Sequence, residues 1–442
     1  MNPINQRVSI LCEIFVLAAM AANAAAQPAA SHAGQATVVR LTLHEAERLA
    51  ADNHPQVRAG EFAALAAGES VRETRSAYFP TALVSFTGAG AADGTRIAAG
   101  GLNNPTILDR FAAGIGVSQL LTDFGRTSSL VASSRFVADA RDKDVEARRA
   151  DVLLEVDRAY FDALRAQAVL KVARETVDAR KLVADQIEAL ARSNLKSGLD
   201  LSFAQVNLSE AQLLLVQAQS DVEAAFASLA AATGSSKNAS YELAEEDLPA
   251  RPDDDGAAVV ARALRDRPDL AAQRLADEGS QKFAEAERRL YMPSVSFVGA
   301  MGFTPYHQVG LTDRYSAAGV NVSFPVANGS LLAARRAEAA YRAQGQTQVV
   351  RDLENRVTRD VTVVWLEART AYQRLDLTTQ LLAQAADALE LATARYNLGL
   401  SSIVELTQAQ LNHTRAEIEQ ATSRYQFQIR SAALRYQTGE LR

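Results

Sequence analysis

The sequence predicts a mainly α-helical chain with two β-hairpins suited to a membrane, built by tandem duplication of a long helical hairpin. Three observations predict it. Residues 126–197 hold neither proline nor glycine, and their apolar residues recur at alternating spacings of four and three: Val152, Val156, Ala159, Ala163, Ala166, Leu170, Ala173 and Val177. This is a coiled-coil seam with nothing inside it to stop a helix. The seam returns 205 positions later as Val357, Val361, Val364, Ala368, Ala371, Leu375, Thr378 and Leu382, so the chain is a repeat. Ahead of each long helix, apolar residues switch to a period of two, which is the period of a strand.

Composition agrees with long helices. Of 11 prolines none lies between Pro105 and Pro249 or beyond Pro325. The net charge of -6 comes from interleaved acids and bases, and with no basic patch nucleic acid is not an expected partner. Residues 1–26 read as a secretory signal peptide: Arg7, an apolar core, then Ala24-Ala25-Ala26. Cys12, the single cysteine, follows Ile10 and Leu11 instead of small residues and precedes most of the apolar core, so it is not read as a lipid attachment site. No other apolar run approaches the roughly 20 residues of a membrane helix.

The elements follow in order. After a polar segment, 27–40, the first repeat takes 41–233. It opens with a short amphipathic helix, 41–53, ending at His54-Pro55, and a second helix from 56 to Tyr78-Phe79-Pro80. Strands at about 81–90 and 111–121 flank a loop rich in Gly, Asn and Asp. The Asp123-Phe124-Gly125-Arg126 turn then starts the long helix, 127–197, and a returning helix takes 199–232. Residues 234–256 form a polar linker. The second repeat, 257–442, gives strands at about 294–303 and 315–325, a long helix 331–398 and a returning helix 403–435. Arg267-Pro268 answers His54-Pro55 at an offset of 213, so the eight residues lost before the 205 offset sets in fall at the hairpin loop.

Each strand is about the ten residues that a tilted strand needs to cross a bilayer. Tyr78, Phe79, Tyr291, Phe303, Tyr306, Tyr315 and Phe324 lie at strand ends as candidate interfacial aromatics. The same alternation also fits two hairpins packed on a soluble core. If the strands are in lipid, four of them cannot close a barrel, and open edges are not tolerated there, so several copies must share one.

The order of elements resembles the TolC family of trimeric outer-membrane channel proteins. The resemblance rests on the 43–53 helix before His54-Pro55, Tyr78-Phe79-Pro80, and Val117-Ser118-Gln119-Leu120 with Asp123-Phe124-Gly125-Arg126. To these are added Val322-Ser323-Phe324-Pro325 and Ala394-Arg395-Tyr396-Asn397-Leu398-Gly399. It covers about residues 40–440. It implies a homotrimer with a shared twelve-stranded barrel in outer-membrane lipid, continued into the periplasm as an α-helical barrel. It further implies a periplasmic adaptor and an inner-membrane transporter of the RND, ABC or MFS type as partners, and no cofactor.

The helix-to-helix turns are the candidate gate. Asp200 in the first corresponds to Glu405 in the second, which in three copies places six carboxylates near one axis. The resemblance implies that acidic rings narrow the periplasmic entrance and favour cations. From the residues alone, Ser197-x-x-Asp200 and Ser402-x-x-Glu405 are both capping boxes, and the two roles are compatible. Family members often carry a basic lock near this turn. The matching position in the second repeat is Ser401, and Lys196 takes the equivalent place in the first. Tyr396 either lines the constriction or packs between helices, and Gln408 sits beside the second acid.

No enzyme signature is present, and His32, His44, His54, His307 and His413 show no metal-ligand spacing. The expected function is passive outer-membrane conduction of small molecules in a tripartite exporter. The alternatives are the outlet of a type I protein secretion system and, from another class, a secreted periplasmic coiled-coil structural or adaptor protein.

Overall fold

A computed structural model of the chain describes residues 39–90, 92, 110–235, 241–306 and 312–441. The leader expected at 1–26 and most of the first hairpin loop lie outside the described residues. Two compact units are present. Of the described residues, Val39 and Tyr241 fall in the smaller and all the others in the larger.

The duplication is visible in the helix lengths. Helices α1 (Leu43–Asn53) and α5 (Gly256–Asp266) each have 11 residues. Helices α2 (Pro55–Arg75) and α6 (Pro268–Arg288) each have 21. The long helices α3 (Arg126–Arg192) and α7 (Leu331–Asn397) each have 67, or about 100 Å at 1.5 Å per residue, and α4 (Gly198–Ala232) and α8 (Ile403–Gln437) each have 35. None of the sixteen seam positions is exposed, and Val156, Ala163, Val361 and Ala368 are wholly inaccessible.

Several boundaries differ from the sequence expectation, three of them with a visible local cause. The first helix begins at Leu43, not at 41, because the Thr42 hydroxyl accepts the Glu45 N–H at 3.3 Å while the Glu45 carboxylate accepts the Thr42 N–H at 2.9 Å. Leu41 instead ends a strand, β1 (Val39–Leu41), which pairs with β4 (Tyr241–Leu243) inside the stretch read as linker. The long helix stops at Arg192 and does not reach 197. Asn194 takes the left-handed conformation (φ 55°), and its N–H and that of Leu195 return to the carbonyls of Ala191 and Leu190.

Strands β2 (Thr81–Ala89), β3 (Arg110–Thr122), β5 (Ser294–Tyr306) and β6 (Arg314–Ser323) form one antiparallel sheet in the order β2-β3-β5-β6. Its register aligns Val84 with Ile115, Ile115 with Met301, and Met301 with Ser316, so the apolar sets of β2, β3 and β5 share one face. On that face Phe86 is 73% and Met301 61% exposed, an apolar surface that needs a lipid or protein covering. The opposite face carries Ser85, Thr87, Gly114, Gly116, Ser118 and Ser296. Tyr315, expected among the interfacial aromatics, also lies on this face, with its ring over Gly114 and Gly302. Both edge strands lack a partner within the described chain.

Equivalent aromatic residues of the two repeats anchor the chain where it crosses the helices. Tyr160 on α3 is inaccessible, and its hydroxyl lies 2.9 Å from the Leu41 carbonyl and 2.7 Å from that of Ala244. Its counterpart Trp365 on α7 donates its indole N–H to the Asp253 carbonyl at 2.8 Å. The Trp365 ring covers Gly256, where a Cβ would stand 2.9 Å from Trp365 Cζ3. Gly256→Val is therefore expected to displace the indole and lower stability by about 1–3 kcal/mol, read as an earlier thermal transition. An unchanged transition would mean that the linker can move away from the ring at no cost.

Candidate gate at the hairpin tips

The two tips are built alike in backbone and differently in side chains. Each long helix ends on a left-handed residue, Asn194 in the first repeat and Gly399 (φ 72°) in the second. The N–H groups of Gly399 and Leu400 return to Tyr396 and Arg395. Ser197 and Ser402 then cap the returning helices.

The first cap is a complete capping box. Ser197 Oγ accepts the Asp200 N–H at 3.1 Å, and Asp200 Oδ2 accepts the Ser197 N–H at 3.1 Å and its hydroxyl at 2.9 Å. The second cap is only half of one, contrary to the sequence expectation. Ser402 Oγ accepts the Glu405 N–H at 3.4 Å, but the Glu405 carboxylate turns away to Arg395 Nε at 3.1 Å. The guanidinium carries a full positive charge, so it attracts the carboxylate more strongly than the partial charge of one backbone N–H does.

Arg395 is thus the basic partner that sequence reasoning missed. It sits six residues before the Ser401 position considered for a lock, and its place in the first repeat is taken by Leu190. Its spacing to Glu405 spans the turn, so the pair ties the end of α7 to the start of α8. Ser401 itself has a buried hydroxyl without a partner among the described residues.

Lys196 and Tyr396 come together across the two tips. The Lys196 ammonium lies 4.3 Å from the Tyr396 ring centroid, a cation–π contact between hairpins. Tyr396 is half-buried against a core of Ala184, Ile187, Ala204, Ile403 and Leu406, and its hydroxyl has no partner among the described residues. Gln408 stands apart from this group, donating to Asn412 Oδ1 at 3.0 Å along its own helix. Asn207 instead joins the hairpins, through Nδ2 to Thr407 Oγ1 at 3.0 Å. Around these polar contacts Leu195, Leu199, Leu398 and Leu400 are exposed at both tips.

Further up the wall, Arg180 is buried on α3. Burial pulls its pKa down, and Glu210 on α4 acts against that shift. On α8, burial pushes the Glu417 carboxyl up, while His413, at 3.3 Å, works in the opposite direction. His54 caps α2, accepting the Gln56 N–H on Nδ1 at 3.3 Å. His32 and His307 lie outside the described residues.

The family model described as outer membrane efflux protein matches residues 47–235 and 259–440. Protein CyaE of Bordetella pertussis is 25% identical over 406 residues, covering 91% of this chain and 84% of CyaE. The outer membrane protein TolC of Vibrio cholerae is 24% identical over 411 residues, 90% of this chain and 91% of TolC. Among solved structures, the outer membrane protein VceC of Vibrio cholerae superposes with a TM-score of 0.78 at 17% identity, covering 90% of this chain and 96% of VceC.

Proposed function

The chain belongs to the outer membrane efflux protein family, and from that membership we propose that it passes small molecules from a periplasmic adaptor and an inner-membrane pump to the outside. Members of the family are outer-membrane channels with a long periplasmic helical barrel, and they work as trimers. The observation that carries the reading here is the four-stranded sheet with two unpaired edges standing on helices about 100 Å long. Such a sheet is complete in lipid only when copies close it into a barrel. A pump of the RND, ABC or MFS type and an adaptor seated on the exposed leucines of the tips fit this arrangement. Fractionation tests the reading: a heat-resistant trimer in the outer membrane is expected, and a soluble periplasmic monomer would overturn it. Export of a polypeptide instead of small molecules, when the pump and adaptor encoded nearby are supplied, would move the protein to type I secretion.

At the tips we propose that Asp200 and Glu405 face the periplasmic entrance, that Arg395 holds it narrow, and that Tyr396 and Lys196 fasten one hairpin to the next. Gln408 lies on the same returning helix, outside that set. An exposed ion pair is worth about 0.5 kcal/mol, so losing three copies of Arg395–Glu405 should shift the closed-to-open balance by about tenfold. In planar bilayers Arg395→Ala and Glu405→Gln should both raise conductance. They should move selectivity in opposite directions, toward cations for Arg395→Ala and away from them for Glu405→Gln, with Asp200→Asn adding to the latter. Equal selectivity in all three variants would leave Asp200 with its capping role and Glu405 with its ion pair alone.

A further inference from the structure

Asp157 is an acid on a buried side of α3, next to the seam residue Val156. It is completely inaccessible, and neither carboxyl oxygen meets a hydrogen-bond donor among the described residues. An ionised carboxylate so placed loses its hydration without compensation. The groups that act on it are Glu47 of α1, within hydrogen-bonding reach, and Arg435 of α8, whose charge works in the opposite direction. On the other side of Glu47 lies His44, 3.8 Å from its carboxylate.

Two carboxyls that face each other with no donor between them can bond only by sharing a proton. The fold does not demand such a pair. In the second repeat the equivalent positions are Val260 and Thr362, and the corresponding junction of α5 with α7 closes on Val259, Ala263, Val357 and Val361 with Val260 packed against them. Apolar contact fastens the short helix in both halves, since Ala46, Ala50, Val152 and Val156 are buried at the equivalent places, and the two acids are an addition confined to the first half.

We propose that Asp157 and Glu47 form a proton-sharing latch, which holds α1 against α3 while one of the two is protonated and weakens that hold when both are ionised. Burial, reinforced by the Glu47 charge, pushes the Asp157 carboxyl up to about 8, so the latch is shut at neutral pH. The sign follows from linkage. The closed form holds its proton up to about pH 8, whereas in the open form Asp157 returns to the ordinary carboxylate range near 3.8. The hold on α1 is thus complete below that range, falls as pH rises, and is lost by about pH 8. Opening of α1 should become more frequent by up to about tenfold per pH unit across the window, then level off.

Hydrogen exchange of the assembled protein, corrected for intrinsic rates, tests this on α1 amides between pH 5 and 9. In the wild type, protection of α1 should fall across the window while that of α5, with its apolar junction, stays flat. In Asp157→Asn the α1 profile should become flat as well, since the amide donates to Glu47 at any pH. Should that variant fail to assemble, Glu47→Gln gives the same reading, with the pH slope of α1 reduced. Equal slopes in wild type and variant, or a wild-type slope shared by α5, would overturn the latch.

Discussion

Tyr160→Ala is expected to cost the periplasmic body about 3–5 kcal/mol of unfolding free energy, among the largest effects available to one substitution in this chain. The ring is fully buried, and truncation would leave a cavity that the stiff α3 backbone cannot close. Its hydroxyl is also the polar tie between α3 and the segments on either side of it, through the carbonyls of Leu41 and Ala244. Burial first, and the nearby Glu246 charge second, push the phenol well above its usual range, so it stays a donor at every accessible pH. Tyr160→Phe separates the two contributions. It keeps the packing and removes the single hydroxyl proton that the two carbonyls share, of which the Leu41 carbonyl still accepts the Ala244 N–H, for about 1–3 kcal/mol. Thermal melting of the assembled protein should therefore rank wild type above Tyr160→Phe above Tyr160→Ala. A Phe variant as unstable as the Ala variant would place the whole effect on the hydroxyl.

That Tyr160 carries this role was not legible in the sequence, although its correspondence with Trp365 was. Spacing put both residues on equivalent places of the long helices, but what they hold lies far away along the chain. The strands that Tyr160 joins have three residues each, too few for a period of two to register. The longer features were legible for the converse reason. Seams of eight positions and strands of nine or more residues repeat their period often enough to exclude alternatives, and the register then aligned the apolar sets of β2, β3 and β5 on one face.

The gate was half legible. The caps at Ser197 and Ser402 follow from local spacing and are present, whereas the choice of Glu405 between its own cap and Arg395 is a competition between two partners that spacing cannot rank. The same holds for the end of α3, where Asn194 does the work that Gly399 does in the second repeat. A reading tuned to glycine as the stop signal extends the helix too far. Asp157 shows the opposite limit: a charged residue within a long helix reads as solvated until the third helix that covers it is placed.

Gly302→Val should abolish assembly of the channel. The register lines up Ser85, Gly114, Gly302 and Tyr315 directly across the four strands, and the Tyr315 ring lies over both glycines. An aromatic covering cross-strand glycine shields backbone that would otherwise be open, and it fixes which residues pair. A Cβ on Gly302 would fall on that ring and stand 2.6 Å from the Ala113 carbonyl, which cannot swing aside as a side chain could. Valine there must either expel Tyr315 or break the ladder between β3 and β5. A one-residue slip is no escape, because it would turn the apolar face of β5 to the polar side. Since closure of the barrel depends on every ladder, the defect in one chain recurs in each copy. The heat-resistant trimer should disappear from the outer membrane for Gly302→Val. It should persist for Gly116→Ala, where a Cβ meets open space on the same face of β3. Loss of both would point to a general intolerance of side chains on that face, and survival of Gly302→Val would remove Tyr315 from the control of register.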